Sequence, residues 1–174
     1  FAGVGPYSIV IAKTSRARKI YSNEINREAN KYAKLNIELN GLKNKIELLP
    51  GDIKRISKTW LSTHRDSPAT HPLFDIFVMP RPQLKESFLK EAFALSKKGT
   101  KIFYYDFCFI GDTRKQVSGA TKSGIQDFVG EKNIVDKIKQ EAKKNKKNVK
   151  ILRIKKAGEI APFKVRLRVD FVVL

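Results

Sequence analysis

The spacing of apolar residues changes period along the chain, and each change predicts an element. Tyr7-Ser8-Ile9-Val10-Ile11-Ala12-Lys13 is an almost unbroken apolar run preceded by Pro6. It predicts a buried helix with proline in the first turn, where the missing N–H breaks no intrahelical bond. Lys19 to Ser22 reads as a short strand, and from Ile25 the apolar positions Ala29, Tyr32, Leu35, Leu39 and Leu42 recur at intervals of three and four. That period predicts an amphipathic helix with this stripe as its apolar face, stopped near Asn40-Gly41. Lys45 to Leu49 is the next strand, closed by Pro50-Gly51-Asp52, and Ile53 to Leu61 a short helix. Residues 62–72 carry Ser, Thr, Pro and both histidines and read as loop.

The second half repeats the alternation. Phe74 to Met79 is a strongly apolar strand stopped by Pro80-Arg81-Pro82, and Phe88, Leu89, Ala92, Phe93 and Leu95 mark a helix ending before Gly99. Lys101 to Phe109 reads as a strand, residues 111–124 as a linker, and Ile125 to Lys144 as a helix with Ile134, Ile138 and Ala142 on one face. Val149 to Ile154 and Lys164 to Val173 close the chain as strands. The last one sets Val165, Leu167, Val169, Phe171 and Val173 against Lys164, Arg166, Arg168 and Asp170, the period of a strand with unequal faces. Strands alternating with helices predict a doubly wound, mostly parallel α/β sheet. Two final strands with no helix between them predict an antiparallel C-terminal pair.

Composition narrows the class. The 174 residues suit one domain, 1–174, and 41% hydrophobic residues with 11 Phe, 5 Tyr and 1 Trp make it globular rather than disordered. Lys and Arg number 36 against 17 Asp and Glu, a net charge of +19, which predicts a polyanionic partner. The single cysteine, Cys108, rules out an internal disulfide and a cysteine zinc site; it reads as a small core residue in a reducing, cytoplasmic compartment. No apolar run reaches the roughly 18–20 residues that cross a bilayer, so no membrane partner is expected. Lys143-Lys144-Asn145-Lys146-Lys147 reads as a solvated helix end whose charge suits the dipole. His64 and His71, with Asp66 between them, read as surface residues, and no metal is expected. The chain is expected to act as a monomer. Its first residue is Phe1 rather than Met, which suggests that the sequence begins inside a larger gene product.

The chemistry is concentrated near the start. Gly3-Val4-Gly5 before a helix lets backbone approach a ligand closely. Glu24, 19 residues beyond Gly5 and just after the second element, stands where a carboxylate can accept both hydroxyls of a ribose. Asp52, after the next strand, fits both an adenine contact and an ordinary helix cap. Pro6-Tyr7-Ser8 follows Gly5, so no third glycine makes room for a pyrophosphate. This argues against a dinucleotide and for S-adenosylmethionine, which has a ribose and an adenine but no pyrophosphate.

Four stretches, Phe1 to Ser8, Ile20 to Asn26, Gly51-Asp52-Ile53 and Phe103-Tyr104-Tyr105-Asp106-Phe107, match in order and spacing a known family. They resemble the archaeal and eukaryotic tRNA (guanine-37-N1)-methyltransferases, and Ala161-Pro162 leading to Arg168-Val169-Asp170-Phe171 extends the likeness over nearly the whole chain. The resemblance implies a Rossmann-like class I methyltransferase sheet with an antiparallel C-terminal strand, its first strand largely missing from these residues. It implies S-adenosylmethionine as cofactor and tRNA as substrate, with Phe1, Gly3, Gly5, Glu24, Ile25, Asp52 and Ile53 on the cofactor and Pro80, Arg81, Pro82 and Tyr105 on the substrate. Where the family ends its fourth strand in a motif like Asn-Leu-Pro, this chain has Pro80-Arg81-Pro82, so a polar role there passes to Arg81 or to a backbone carbonyl. The resemblance implies that the family's catalytic Arg and Glu, and its tRNA-binding domain, lie upstream of Phe1, so residues 1–174 alone are expected to be inactive; within the chain Arg81 and Asp106 are the candidates for chemistry. Tyr104, Tyr105 and Phe107 are aromatic enough to stack on a base, with one of them expected in the pocket. Two other readings remain: an aminocarboxypropyltransferase of the wyosine pathway using the same cofactor, and an RNA-binding domain of this fold without catalysis.

Overall fold

The computed structural model describes residues 1–63, 73–80, 86–109, 124–162 and 164–174. Eleven elements follow in order: α1 (Pro6–Thr14), β1 (Ile20–Glu24), α2 (Arg27–Leu39), β2 (Ile46–Pro50), α3 (Ile53–Thr63), β3 (Phe74–Met79), α4 (Leu89–Ala94), β4 (Ser96–Phe109), α5 (Gly124–Lys144), β5 (Val149–Ala161) and β6 (Lys164–Val173). The alternation read from the sequence is present throughout, with β4 and β5 longer than expected. The expected loop at 62–72 and linker at 111–124 fall almost wholly outside the described residues.

The strands form two hydrogen-bonded sheets rather than one, because neither β1 nor β3 has a partner on its outer edge among the described residues. The chain divides accordingly into two compact units, Phe1–His71 and Pro72–Leu174. In the first, β1 and β2 run parallel from Ile20↔Ile46 to Glu24↔Pro50. Ala12, Ile37 and Ile46 form its small core, with Ile9, Ile20, Leu42 and Leu48 against them. Asn26 caps α2 by accepting the N–H groups of Glu28 and Ala29, offsetting two of the donors that a helix start leaves unpaired.

The face of α2 differs from expectation. Ala33 and Ile37 are buried, whereas Tyr32, Leu35 and Leu39 are 59%, 52% and 84% exposed. The helix lies close to the glycine turn: a Cβ on Gly5 would stand 3.7 Å from that of Ala33, and a small residue is what such an approach permits.

The second unit is a four-stranded sheet in the order β3-β4-β6-β5. β3 pairs parallel with β4, and β6 pairs antiparallel with both β4 and β5, so β6 alone runs against its neighbours, as the closing pair of strands suggested. Helices α4 and α5 cover one face. Their Leu89, Phe93, Ile134 and Ile138 meet Ile102, Tyr104 and the whole apolar row of β6, of which Val165, Leu167, Val169, Phe171 and Val173 are each at most 4% exposed. Cys108 packs against this core. The lysine-rich end of α5 is only partly solvated: Lys147 donates to the Ser96 carbonyl at 2.6 Å and ties the helix end to β4, and burial lowers its pKa.

Candidate functional site

All seven of the expected cofactor residues, Phe1, Gly3, Gly5, Glu24, Ile25, Asp52 and Ile53, lie at one end of the first unit. Gly3 and Gly5 have φ of +57° and +84°, a region that costs other L-residues about 1–2 kcal/mol. The backbone angle is therefore what demands glycine; nothing lies within 4 Å of a Cβ added at Gly3. Gly5 sits in this left-handed conformation as the cap of α1, with Pro6 opening the helix.

Glu24 ends β1 and holds the turn. Its Oε2 accepts the Gly3 N–H at 2.8 Å, and its Oε1 accepts those of Ile25 and Asn26, both at 2.9 Å. Burial works to raise the carboxyl's pKa, but those backbone donors, first Asn26 and Gly3, outweigh it and hold the group below its ordinary value. A carboxylate has about four acceptor positions; three serve the backbone here. Ile25, the next residue, is 61% exposed.

Asp52 and Ile53 stand at the same end, since Glu24 pairs in register with Pro50. The Asp52 Oδ1 accepts the Lys54 N–H at 2.9 Å, and its carbonyl accepts those of Arg55 and Ile56. The cap role read for Asp52 is thus present, and its side chain remains exposed. Phe1 lies alongside, its nitrogen donating to the Asn23 carbonyl at 2.8 Å.

Asparagines, which the sequence reading passed over, hold this end together. Asn23 Nδ2 donates to the carbonyls of Leu49 and Gly51, at 2.7 and 2.9 Å, and so clamps β1 to the end of β2. Asn30 Nδ2 reaches the carbonyls of Glu24 and Asn26, and Asn36 Nδ2 that of Val4. The signal was available: Asn is frequent where backbone leaves regular structure, because its amide can replace a missing backbone partner.

In the second unit, Asp106 is a buried carboxylate at the end of β4. Its Oδ2 accepts Tyr104 Oη and Lys137 Nζ, both at 2.8 Å, while its Oδ1 accepts the Phe107 N–H at 2.9 Å. Burial raises its pKa, but Lys137, Tyr104 and Phe107 together outweigh that and leave it lowered. So held, Asp106 is a weak proton acceptor and a strong tie between β4 and α5. Tyr104 is fully buried beside it, which takes it out of the set that could stack on a base. Tyr105 and Phe107 lie on the opposite face, half-buried, with Phe103. Pro80 follows β3 and is half-buried; Arg81, Pro82, His64, Asp66 and His71 lie outside the described residues.

Residues 1–152 match the TRM5/TYW2 methyltransferase domain. The tRNA (guanine(37)-N(1))-methyltransferase Trm5b of Pyrococcus abyssi is 34% identical over 112 residues, 64% of this chain and 29% of that protein. The chain thus spans under a third of the length of this relative. The crystal structure of Trm5b from Pyrococcus abyssi superposes with a TM-score of 0.71 at 26% identity, covering 99% of this chain and 42% of that one. A structure of M. jannaschii TYW2 in complex with AdoMet gives a TM-score of 0.72 at 23% identity, over 99% of this chain and 65% of that one, a likeness of fold.

Proposed function

The chain belongs to the TRM5/TYW2 methyltransferase domain family, and from that premise we propose that it transfers the methyl group of S-adenosylmethionine to N1 of guanine 37 in tRNA. The observation that carries the reading is the Glu24 cluster. A carboxylate that fixes a glycine turn through three backbone N–H groups keeps one acceptor position, beside an exposed isoleucine and at the same sheet end as Asp52 and Ile53. These residues fit a nucleoside: Glu24 would take a ribose hydroxyl, Ile25 and Ile53 would border the adenine, and Asp52 would accept from its amino group. S-adenosylmethionine, when bound, supplies a methyl carried on a positively charged sulfur.

The rest of the chemistry concerns a proton. Guanine N1 must lose its proton as it gains the methyl, and general-base help there is commonly worth about 10²–10⁴ in rate. Asp106 is a poor acceptor for it, given three donors on its carboxylate; its part is to fix the end of β4. Pro80, without an N–H, offers its carbonyl as an acceptor for the base, and Tyr105, whose side chain hydrogen-bonds Arg168, offers a ring on the face of β4 turned away from α4 and α5. A cytoplasmic location fits the substrate, and no described helix is long and apolar enough to cross a membrane.

The family name also covers TYW2, and the aminocarboxypropyl reading draws on that. The curated relative at 34% identity is a guanine-37 N1 methyltransferase, which favours methyl transfer. Two labelled cofactors separate the readings. With a tRNA transcript carrying G37, methyl-labelled S-adenosylmethionine should transfer its label to RNA, and cofactor labelled in the aminocarboxypropyl group should not. With the full-length protein, the reverse pattern would replace the proposal by its rival, and no transfer from either would remove both.

A further inference from the structure

The sheet of the second unit has two unlike faces. The one turned away from α4 and α5 carries three rungs set by register: Phe103 opposite Asp170 and Arg153, Tyr105 opposite Arg168 and Lys155, and Phe107 opposite Arg166 and Gly158. Two cations, Arg168 and Lys155, thus face each other across neighbouring strands, an arrangement that destabilises a sheet unless something compensates. Asp170 does so for Arg168, holding it at 2.9 Å through Nη2 and 2.8 Å through Nε. It is the only carboxylate on these rungs. Arg153, Lys155 and Arg166 are exposed and form no ion pair among the described residues.

Aromatic rings of β4 lie against cations of β6. The Arg166 guanidinium lies 5.4 Å from the Phe107 ring centre and that of Arg168 5.7 Å from the Phe103 ring, with Lys164 6.0 Å from Phe107. A guanidinium resting on a ring has already lost part of its rotamer freedom, so less is lost when it meets an anion. Gly158, at φ +142°, puts no side chain beside Arg166 and has nothing within 4 Å of an added Cβ, which leaves that rung open.

We propose that this face of β4, β6 and β5 is an RNA-docking surface, on which Arg153, Lys155 and Arg166 contact successive phosphates of the tRNA. The proposal rests on the tRNA reading for its occupant and on charge complementarity for its place: uncompensated cations on neighbouring strands of one sheet face match a phosphodiester backbone, whose neutralisation releases counterions.

The test compares two triple charge reversals of equal size in the intact protein. One places Glu at Arg153, Lys155 and Arg166; the control places Glu at Lys132, Lys139 and Lys143, exposed residues of α5. The probe is an unmodified tRNA transcript, with affinity measured between about 50 and 200 mM salt. The sheet-face variant should bind at least about ten-fold more weakly and lose roughly two units of slope in log K against log [salt], at 0.7–0.9 per phosphate contact. The control should lose far less, and both should keep the wild-type affinity for S-adenosylmethionine, which confirms folding. Equal losses in the two variants would overturn the proposal, as would wild-type protein that binds polyglutamate but not the transcript. A wild type that binds RNA through this face without transferring a methyl group would instead sink the catalytic reading and leave the surface standing.

Discussion

The carboxylate of Glu24 accepts the backbone N–H of Gly3 at 2.8 Å across 21 residues of sequence. This bond joins the glycine turn to the acid proposed as a ribose ligand, so that the same carboxylate also builds the turn beside it. A change at either residue therefore acts on the other.

Replacing Glu24 by Ala should weaken S-adenosylmethionine binding by about ten-fold or more, since loss of a charged acceptor commonly costs about 1.5–3 kcal/mol. Calorimetry on wild type and variant reads this directly. Equal affinities, with both proteins folded, would remove Glu24 from the cofactor site.

Gly5→Ala should lower stability by about 1–2 kcal/mol, because φ of +84° is strained for a residue with a Cβ. Gly5→Asn should lose less, Asn being more tolerant of that region. Urea unfolding distinguishes this from a steric cause: a clash would make Asn worse than Ala.

The tie of Asp106 to Lys137 makes stability depend on pH. Because the folded-state pKa of Asp106 is lowered, its contribution is full above the ordinary carboxylate value of about 4 and is lost as pH falls through the folded-state value. Asp106→Asn should therefore cost about 1–3 kcal/mol at pH 7, with the gap to wild type closing below pH 4. A gap that stays constant from pH 7 to pH 3 would contradict the assignment.

Phe171→Ala should cost about 3–5 kcal/mol, since Phe171 is fully buried with its ring centre 6.0 Å from that of Phe93 on α4. Thermal unfolding checks it; a loss under 1 kcal/mol would mean that α4 does not depend on this contact.

The order of elements, the two-fold period of β6 and the cap at Asp52 were legible in the sequence, because each depends on residues a few positions apart, and so was the place of Glu24 at the end of a strand. A strand's alternation is local geometry, and an acid placed just after a strand needs no knowledge of the rest of the chain. The buried face of α2 was not legible in this way. Tyr32, Leu35 and Leu39 carry the greater hydrophobicity, yet Ala33 and Ile37 face inward: Ala33 lies against the glycine turn, where a small side chain fits, and Ile37 packs into the core with Ala12 and Ile46. Asp106 shows the same division. Its acidic character and its place at the end of a strand come from the sequence, but its work as a tie depends on Lys137, 31 residues away on α5. Tertiary structure also decided which cations stand together: Lys147 is spent on the Ser96 carbonyl, while Arg166 joins Arg153 and Lys155 on one face because β6 pairs with β5. Charge and period are properties of the chain; which charges stand together is set by strand order, through hydrogen bonds between segments far apart in sequence.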